Sequence, residues 1–177
     1  MLVRERQAGF MLGEVLLVLA LLMIIGAHAV PQAAKFFRQT AVEYEAEKLL
    51  STIRYCQNLS RTTADNAWGY GAKNPNKRDI YLQLSAEGNQ IFAGEGDIIV
   101  SHNYLPQVNV VKVYQENGKN HYDDLVNLAF NANGQPKSLG KNMMTILIYY
   151  QGYPAEGQKI MISKGGRIRM ERGNDEP

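Results

Sequence analysis

The chain has 177 residues, a formal net charge of +2 and 20% charged residues, enough for one modest domain plus a membrane segment and too little for a multidomain enzyme. Charge this balanced gives no compositional signal of bulk nucleic-acid binding, so any basic site must be local. The single cysteine, Cys56, excludes an intramolecular disulfide and a cysteine-rich metal site, leaving packing to hold the fold.

A leader carrying Arg4 and Arg6 ends at Gly9-Phe10, and an apolar run follows to Val30. At 1.5 Å per residue this run spans roughly 30 Å, about one hydrocarbon core. Arg4 and Arg6 precede it, so the positive-inside rule keeps them cytoplasmic and places Pro31 onward outside. Glu14 is the single acid in the run. A charge inside hydrocarbon costs about 2.5–3.5 kcal/mol on the mildest insertion scale, so it calls for a partner. No Lys or Arg lies between Arg6 and Lys35. The cation within helical reach of Glu14 is the α-ammonium that cleavage between Gly9 and Phe10 would create. Two other readings of this segment are a bare anchor and a secretory signal peptide cut after Ala27-His28-Ala29, which would leave Val30 as the mature terminus. Glu14 argues against the signal peptide.

The helical pattern continues past the apolar run. Val42, Ala46, Leu49, Ile53, Cys56 and Ser60 recur at alternating four- and three-residue steps and make one small or apolar stripe, with Glu43, Glu45, Glu47, Lys48 and Arg54 assigned to the other sides. Pro31 removes one backbone donor and crowds the Ala27 carbonyl, which predicts a kink or local unwinding there. Residues 66–77 read as a loop. Alternating runs at 80–84, 98–100, 108–114, 128–130, 145–150 and 159–163 read as strands. Asn133-Gly134, Glu116-Asn117-Gly118 and Lys164-Gly165-Gly166 are turn chemistry, the last joining 160–163 to 167–170 as a hairpin.

The segment from Arg4 to Glu14 resembles the processing site of type IV prepilins and pseudopilins. The resemblance implies that a membrane peptidase cuts between Gly9 and Phe10 and methylates the new Phe10 amine, and that Glu14 pairs with a neighbour's amine during assembly. Pilins also carry a proline at a similar remove, here Pro31. The sheet half resembles GspH/FimT-type pseudopilins and minor pilins at Ala46, Leu49, Ile53 and Arg54, at Phe130-Asn131-Ala132-Asn133-Gly134, and at Ile162 to Arg169. The sequence departs from the family at Met11, Leu12 and Gly13, where Thr-Leu and an aliphatic residue usually precede the Glu.

The resemblance implies an α+β, type IV pilin-like fold. Residues 1–9 form a leader, 10–30 a transmembrane helix, 31–63 its amphipathic second half, and 64–177 a β-rich head. It implies a minor pilin or pseudopilin of a type II secretion pseudopilus or type IV pilus. The partners it implies are other pilin subunits, prepilin peptidase, an inner-membrane assembly platform and membrane lipid, and the location it implies is the bacterial inner membrane, with a periplasmic head, and then the filament. Lys164, Arg167, Arg169 and Arg172 crowd the last strand, and a Gly-Arg-x-Arg ending resembles the region by which DNA-uptake minor pilins are thought to hold DNA. The plainer reading is an edge strand guarded by charge, with Glu171, Asp175 and Glu176 diluting the patch. His28, His102 and His121 stand at no ligand spacing with Cys or a carboxylate, Asp123-Asp124 near Glu116 reads as surface acid, and no catalytic constellation appears, so neither metal nor cofactor nor enzyme activity is expected.

Overall fold

The computed structural model describes residues 6–63, 80–94, 96–116, 119–123, 126–137 and 143–173. The expected loop at 66–77 and the turn at 117–118 lie outside the described residues. The chain divides into two compact units, Met1–Arg38 and Gln39–Pro177. One helix, α1 (Arg6–Thr63), contributes to both.

α1 stays helical through Pro31, so of the kink or local unwinding that the sequence predicts there, the unwinding does not occur. A proline removes one hydrogen bond, whereas each added helical residue forms one, and the long helical runs on both sides hold the backbone in register. In the first unit every residue from Leu12 to Phe37 except Gly26 is exposed. The helix is therefore apolar and uncovered from Leu12 to Val30, long and apolar enough to cross a membrane.

The second unit adds nine strands: β1 (Ile80–Leu84), β2 (Gly88–Ala93), β3 (Asp97–Asn103), β4 (Val108–Glu116), β5 (Lys119–Asp123), β6 (Val126–Ala129), β7 (Met144–Tyr150), β8 (Tyr153–Ile162) and β9 (Ile168–Arg172). They form a four-stranded sheet in the order β3-β2-β1-β6 and a five-stranded sheet in the order β5-β4-β7-β8-β9. Every neighbouring pair is antiparallel. All six runs expected as strands are present, and so is the second strand of the expected hairpin, β9. β2 and β5 were not expected: β2 buries Asn89 where alternation would show an apolar residue, and β5 is a polar edge strand carried by its pairing with β4.

The helical stripe is the spine of one shared core. Val42, Ala46, Leu49, Ile53 and Cys56 bury against Leu82, Ile91 and Leu128 of the first sheet and Ile146, Ile148, Ile160 and Ile162 of the second. Each such Leu, Ile or Val contributes about 1.5–3 kcal/mol by leaving water. β7 is the central strand of its sheet, and Leu147, on the face opposite Ile146 and Ile148, is buried as well.

A polar clamp fixes one end of this core. The Gln57 side-chain amide, buried on α1, donates to the carbonyl of Gly134 at 2.7 Å and to that of Gly166 at 2.8 Å. Gly134 closes a turn after β6 in which the Asn131 side-chain oxygen accepts from the backbone of Asn133 and Gln135. Gly166 closes the β8–β9 hairpin, where Ser163 accepts from Gly166 and Arg167. Both glycines have positive φ, 76° and 83°. A Cβ at Gly166 would collide with the Gly134 carbonyl, and one at Gly134 with the Arg61 guanidinium. Any L-residue at either site is strained, and at Gly166 it also overlaps backbone, whereas at Gly134 the exposed Arg61 side chain can move aside; Gln57 satisfies two buried acceptors that would otherwise cost about 1–3 kcal/mol each.

Candidate assembly sites

At the N-terminal end, the backbone of Gly9 and Phe10 lies inside α1, which starts at Arg6. Their side-chain positions lie outside the described residues. Glu14 is exposed on the helix, beside Gly13, where an added Cβ would meet nothing. It is the single acidic residue between Phe10 and Val42. A carboxylate on an otherwise apolar, exposed helix is costly to bury in a low-dielectric setting without a cation beside it, because charge interactions there are many times stronger than in water.

Toward the C-terminus of the sequence, β9 is an edge strand, as the charge pattern suggested. Lys164, at the hairpin turn, and Arg167 and Arg169 beyond it are all exposed. The register Ile162↔Ile168 and Met161↔Arg169 puts Arg167 and Arg169 on one face and Ile168 and Met170 on the other. Glu171 shares the arginine face. Arg172 does not join the group: it alternates to the helix side and lines a polar pocket with Gln39, Glu43 and Gln158. In its place stands Arg61, whose guanidinium covers Gly134 beside the hairpin turn.

Two sequence readings are corrected at the helix–sheet boundary. Glu45 is not on an outward face: it is 1% exposed. It lies four residues before Leu49 and seven before Thr52, so a stripe wider than the six-residue one takes it in. His102 does have a carboxylate partner, since its Nε2 lies 2.7 Å from Glu45 Oε2, while the Leu105 backbone N–H donates to Oε1 at 3.1 Å. Removing one member of such a pair strands a buried polar or charged group, a cost of order 3–5 kcal/mol. The Tyr104 ring meets His102 edge-on at 5.9 Å, and Asn89, opposite His102 across β2–β3, sits beside the Tyr104 hydroxyl without reaching hydrogen-bond geometry. Among the described residues, no group of three or more His, Cys, Asp or Glu could hold a metal ion.

No protein-family model and no curated protein sequence matches the chain. Among solved structures it is similar to the type IV minor pilin FimU of Pseudomonas aeruginosa strain PAO1 in two crystal forms. In both, the identity is 17% and the TM-score 0.51 over 77% of this chain, and the match covers 92% of the one chain and 97% of the other. The chain has the type IV pilin fold.

On this pilin fold the stripe from Val42 to Cys56 joins the second half of the long helix to the head. Burial pushes the Cys56 thiol from 9.0 up to about 12, with Ser60 opposing, which makes it a packing residue rather than a reactive one. Burial also pushes the Tyr104 hydroxyl from 10.0 up to about 12, with Asn89 lowering it and the Glu45 charge raising it. Both groups are neutral in the folded head and ionise more readily once unfolded. The stability they contribute is complete below pH 9 and is lost as pH rises toward 12. Equilibrium unfolding in urea at stepwise increasing pH is expected to show stability falling from pH 9 upward, and Cys56→Ala to flatten the first part of that fall.

Proposed function

We propose that the chain is a minor pilin or pseudopilin, anchored in the bacterial inner membrane and incorporated into a type IV pilus or a type II secretion pseudopilus. The observation that carries this reading is the exposed apolar half of α1, with Glu14 as its single acid, on a pilin fold. Twelve large apolar side chains between Leu12 and Val30 are exposed. Covering even half of each surface is worth roughly 10–20 kcal/mol in total, as much as the whole stability of a typical domain. Such a helix belongs in lipid or among copies of itself.

In this reading prepilin peptidase cuts between Gly9 and Phe10 and methylates the Phe10 amine, with Arg4 and Arg6 on the cytoplasmic side and the head periplasmic. An assembly platform draws the subunit from the bilayer into the filament. Glu14 then meets the Phe10 amine of an adjoining pilin subunit and sets the axial register, while Pro31 marks where the helix can lengthen during that passage. Glu14→Val is expected to leave membrane insertion and processing intact, since it removes an insertion cost, yet to reduce recovery in purified filaments about tenfold or more, the change that a loss of ~1.4 kcal/mol produces. Immunoblots of membrane and filament fractions check this, and recovery equal to the unmodified chain refutes the pairing.

A second reading, DNA capture during uptake, is favoured by one observation: Arg61, Lys164, Arg167 and Arg169 are exposed at the same end of the head. DNA binding by the purified head is then expected to weaken steeply with salt. Arg167→Gln with Arg169→Gln lowers the slope of log affinity against log salt by about 2, one phosphate per arginine, and Arg172→Gln leaves it unchanged. A slope near zero in the unmodified head dismisses this reading.

A further inference from the structure

The outer face of the four-stranded sheet serves neither the core nor the assembly sites nor the cationic edge. Leu82, Ile91 and Leu128 point into the core, so the alternate residues of β1, β2 and β6 point away from it. The pairing registers set these outward residues, with those of β3, in two rows that cross all four strands. One row is Ala129, Tyr81, Phe92 and Ile98. The other is Asn127, Gln83, Gln90 and Ser101. Each row is roughly 14 Å long and the two lie roughly 7 Å apart. In the first, the Tyr81 and Phe92 rings stack with centroids 5.0 Å apart, and Ile98 is 55% exposed. In the second, the Gln90 amide donates to the Ser101 hydroxyl at 3.3 Å. Beyond the second row, Gln83 and Gln90 join Ser85, Glu87 and Asn103 around a cleft of about 150 Å³.

All eight residues of the two rows are uncharged, on a chain with 20% charged residues. Soluble surfaces run to roughly 25–35% charged side chains, so eight outward positions would ordinarily hold about two. Glu87 is the one charged residue lining the cleft. A phosphate, a nucleic acid or a charged peptide finds no counter-charge in either row. What the rows offer is aromatic and apolar surface beside primary amides, each of which supplies two donors and two acceptor lone pairs. A sugar ring has the matching character, with C–H groups on its faces and hydroxyls round its edge. The cleft is well below the roughly 300–1,000 Å³ of sites that enclose a drug-sized ligand, so it takes one sugar substituent while the chain lies along the rows.

We propose that the outer face of the four-stranded sheet binds an uncharged glycan chain. Tyr81 and Phe92 meet the C–H groups of its rings, and Gln83 and Gln90 exchange hydrogen bonds with its hydroxyls. The Gln90–Ser101 bond holds one amide in place before the ligand arrives, which lowers the cost of ordering it. The inference stands on the head alone and does not require the chain to enter a filament. The other occupant of such a face is a protein surface, a second copy of this chain included. The amide row favours the glycan, because a protein interface of this kind is centred on apolar anchors whereas half of these positions are hydrogen-bonding groups.

The test titrates the full chain, in micelles of a detergent without a sugar headgroup, with three uncharged hexasaccharides: chitohexaose, cellohexaose and maltohexaose. Calorimetry is expected to show binding of at least one of them, with an affinity that changes less than about twofold between about 50 mM and about 500 mM salt. Gln83→Ala with Gln90→Ala is expected to weaken that binding about tenfold or more, and Phe92→Leu, which keeps apolar bulk and removes the ring, about threefold or more. Arg169→Gln, on the other sheet, leaves it unchanged. Circular dichroism confirms that each variant is folded, and the two sets of substitutions test the face independently. Binding of none of the three at millimolar concentration, binding that fades with salt, or binding that survives both sets overturns the proposal. So does a chain that binds no sugar but sediments as a dimer that Phe92→Leu dissociates, which assigns the face to a second copy.

Discussion

One helix carries two different kinds of surface, and the rest of the structure follows from that. From Leu12 to Val30 its side chains are apolar and meet no protein. From Val42 to Ser60 the same backbone presents a stripe that two sheets cover completely. The periodicity changes between the two stretches while the backbone does not. The first stretch is apolar all round, as an element surrounded by lipid or by its own kind must be, and the second is apolar on one side, as an element resting on a sheet must be. Glu14 is the exception in the first stretch and Glu45 in the second. Each is an acid in an apolar setting. Glu45 is answered within the chain, by His102 and the Leu105 N–H. Glu14 is answered by nothing in the described residues, and that asymmetry is why an outside partner is sought for one and not for the other.

The head is held to the helix at both ends of its stripe by polar contacts rather than by packing alone. Near the start, Glu45 ties α1 to the edge of the four-stranded sheet. Near the end, Gln57 ties it to a turn from each sheet at once. The second contact explains why two glycine turns separated by some thirty residues belong to one motif: their backbones touch each other and share one amide. Without a disulfide, such satisfied buried polar groups supply the specificity that apolar burial lacks, since apolar faces tolerate small slips and a two-carbonyl clamp does not.

Much of this was legible in the sequence because it rests on period and punctuation. The stripe, the apolar run, six of the nine strands and the closing hairpin are local patterns with local causes. What escaped depended on pairing at long range. β2 was hidden by Asn89, a polar residue on an inward position, and β5 by its wholly polar face. Glu45 and His102 are 57 residues apart, and neither reads as buried until the other is beside it. Arg172 looked like a fourth member of a cationic edge, but strand alternation turns it toward Glu43, whereas Arg61, far away in sequence, is brought to that edge by the helix. Pro31 read as a kink or an unwound stretch within one long helix because its missing donor is a local fact, and the backbone stays helical through it because helical runs on both sides outweigh one lost bond.

If Glu14 meets the Phe10 amine of an adjoining subunit, as we propose, that amine must first be exposed by cleavage. The most direct measurement is the intact mass of the native polypeptide recovered from membranes and filaments. The account predicts a chain beginning at Phe10 and carrying one added methyl group. A chain still beginning at Met1, or one beginning at Val30 with Glu14 discarded, would contradict it.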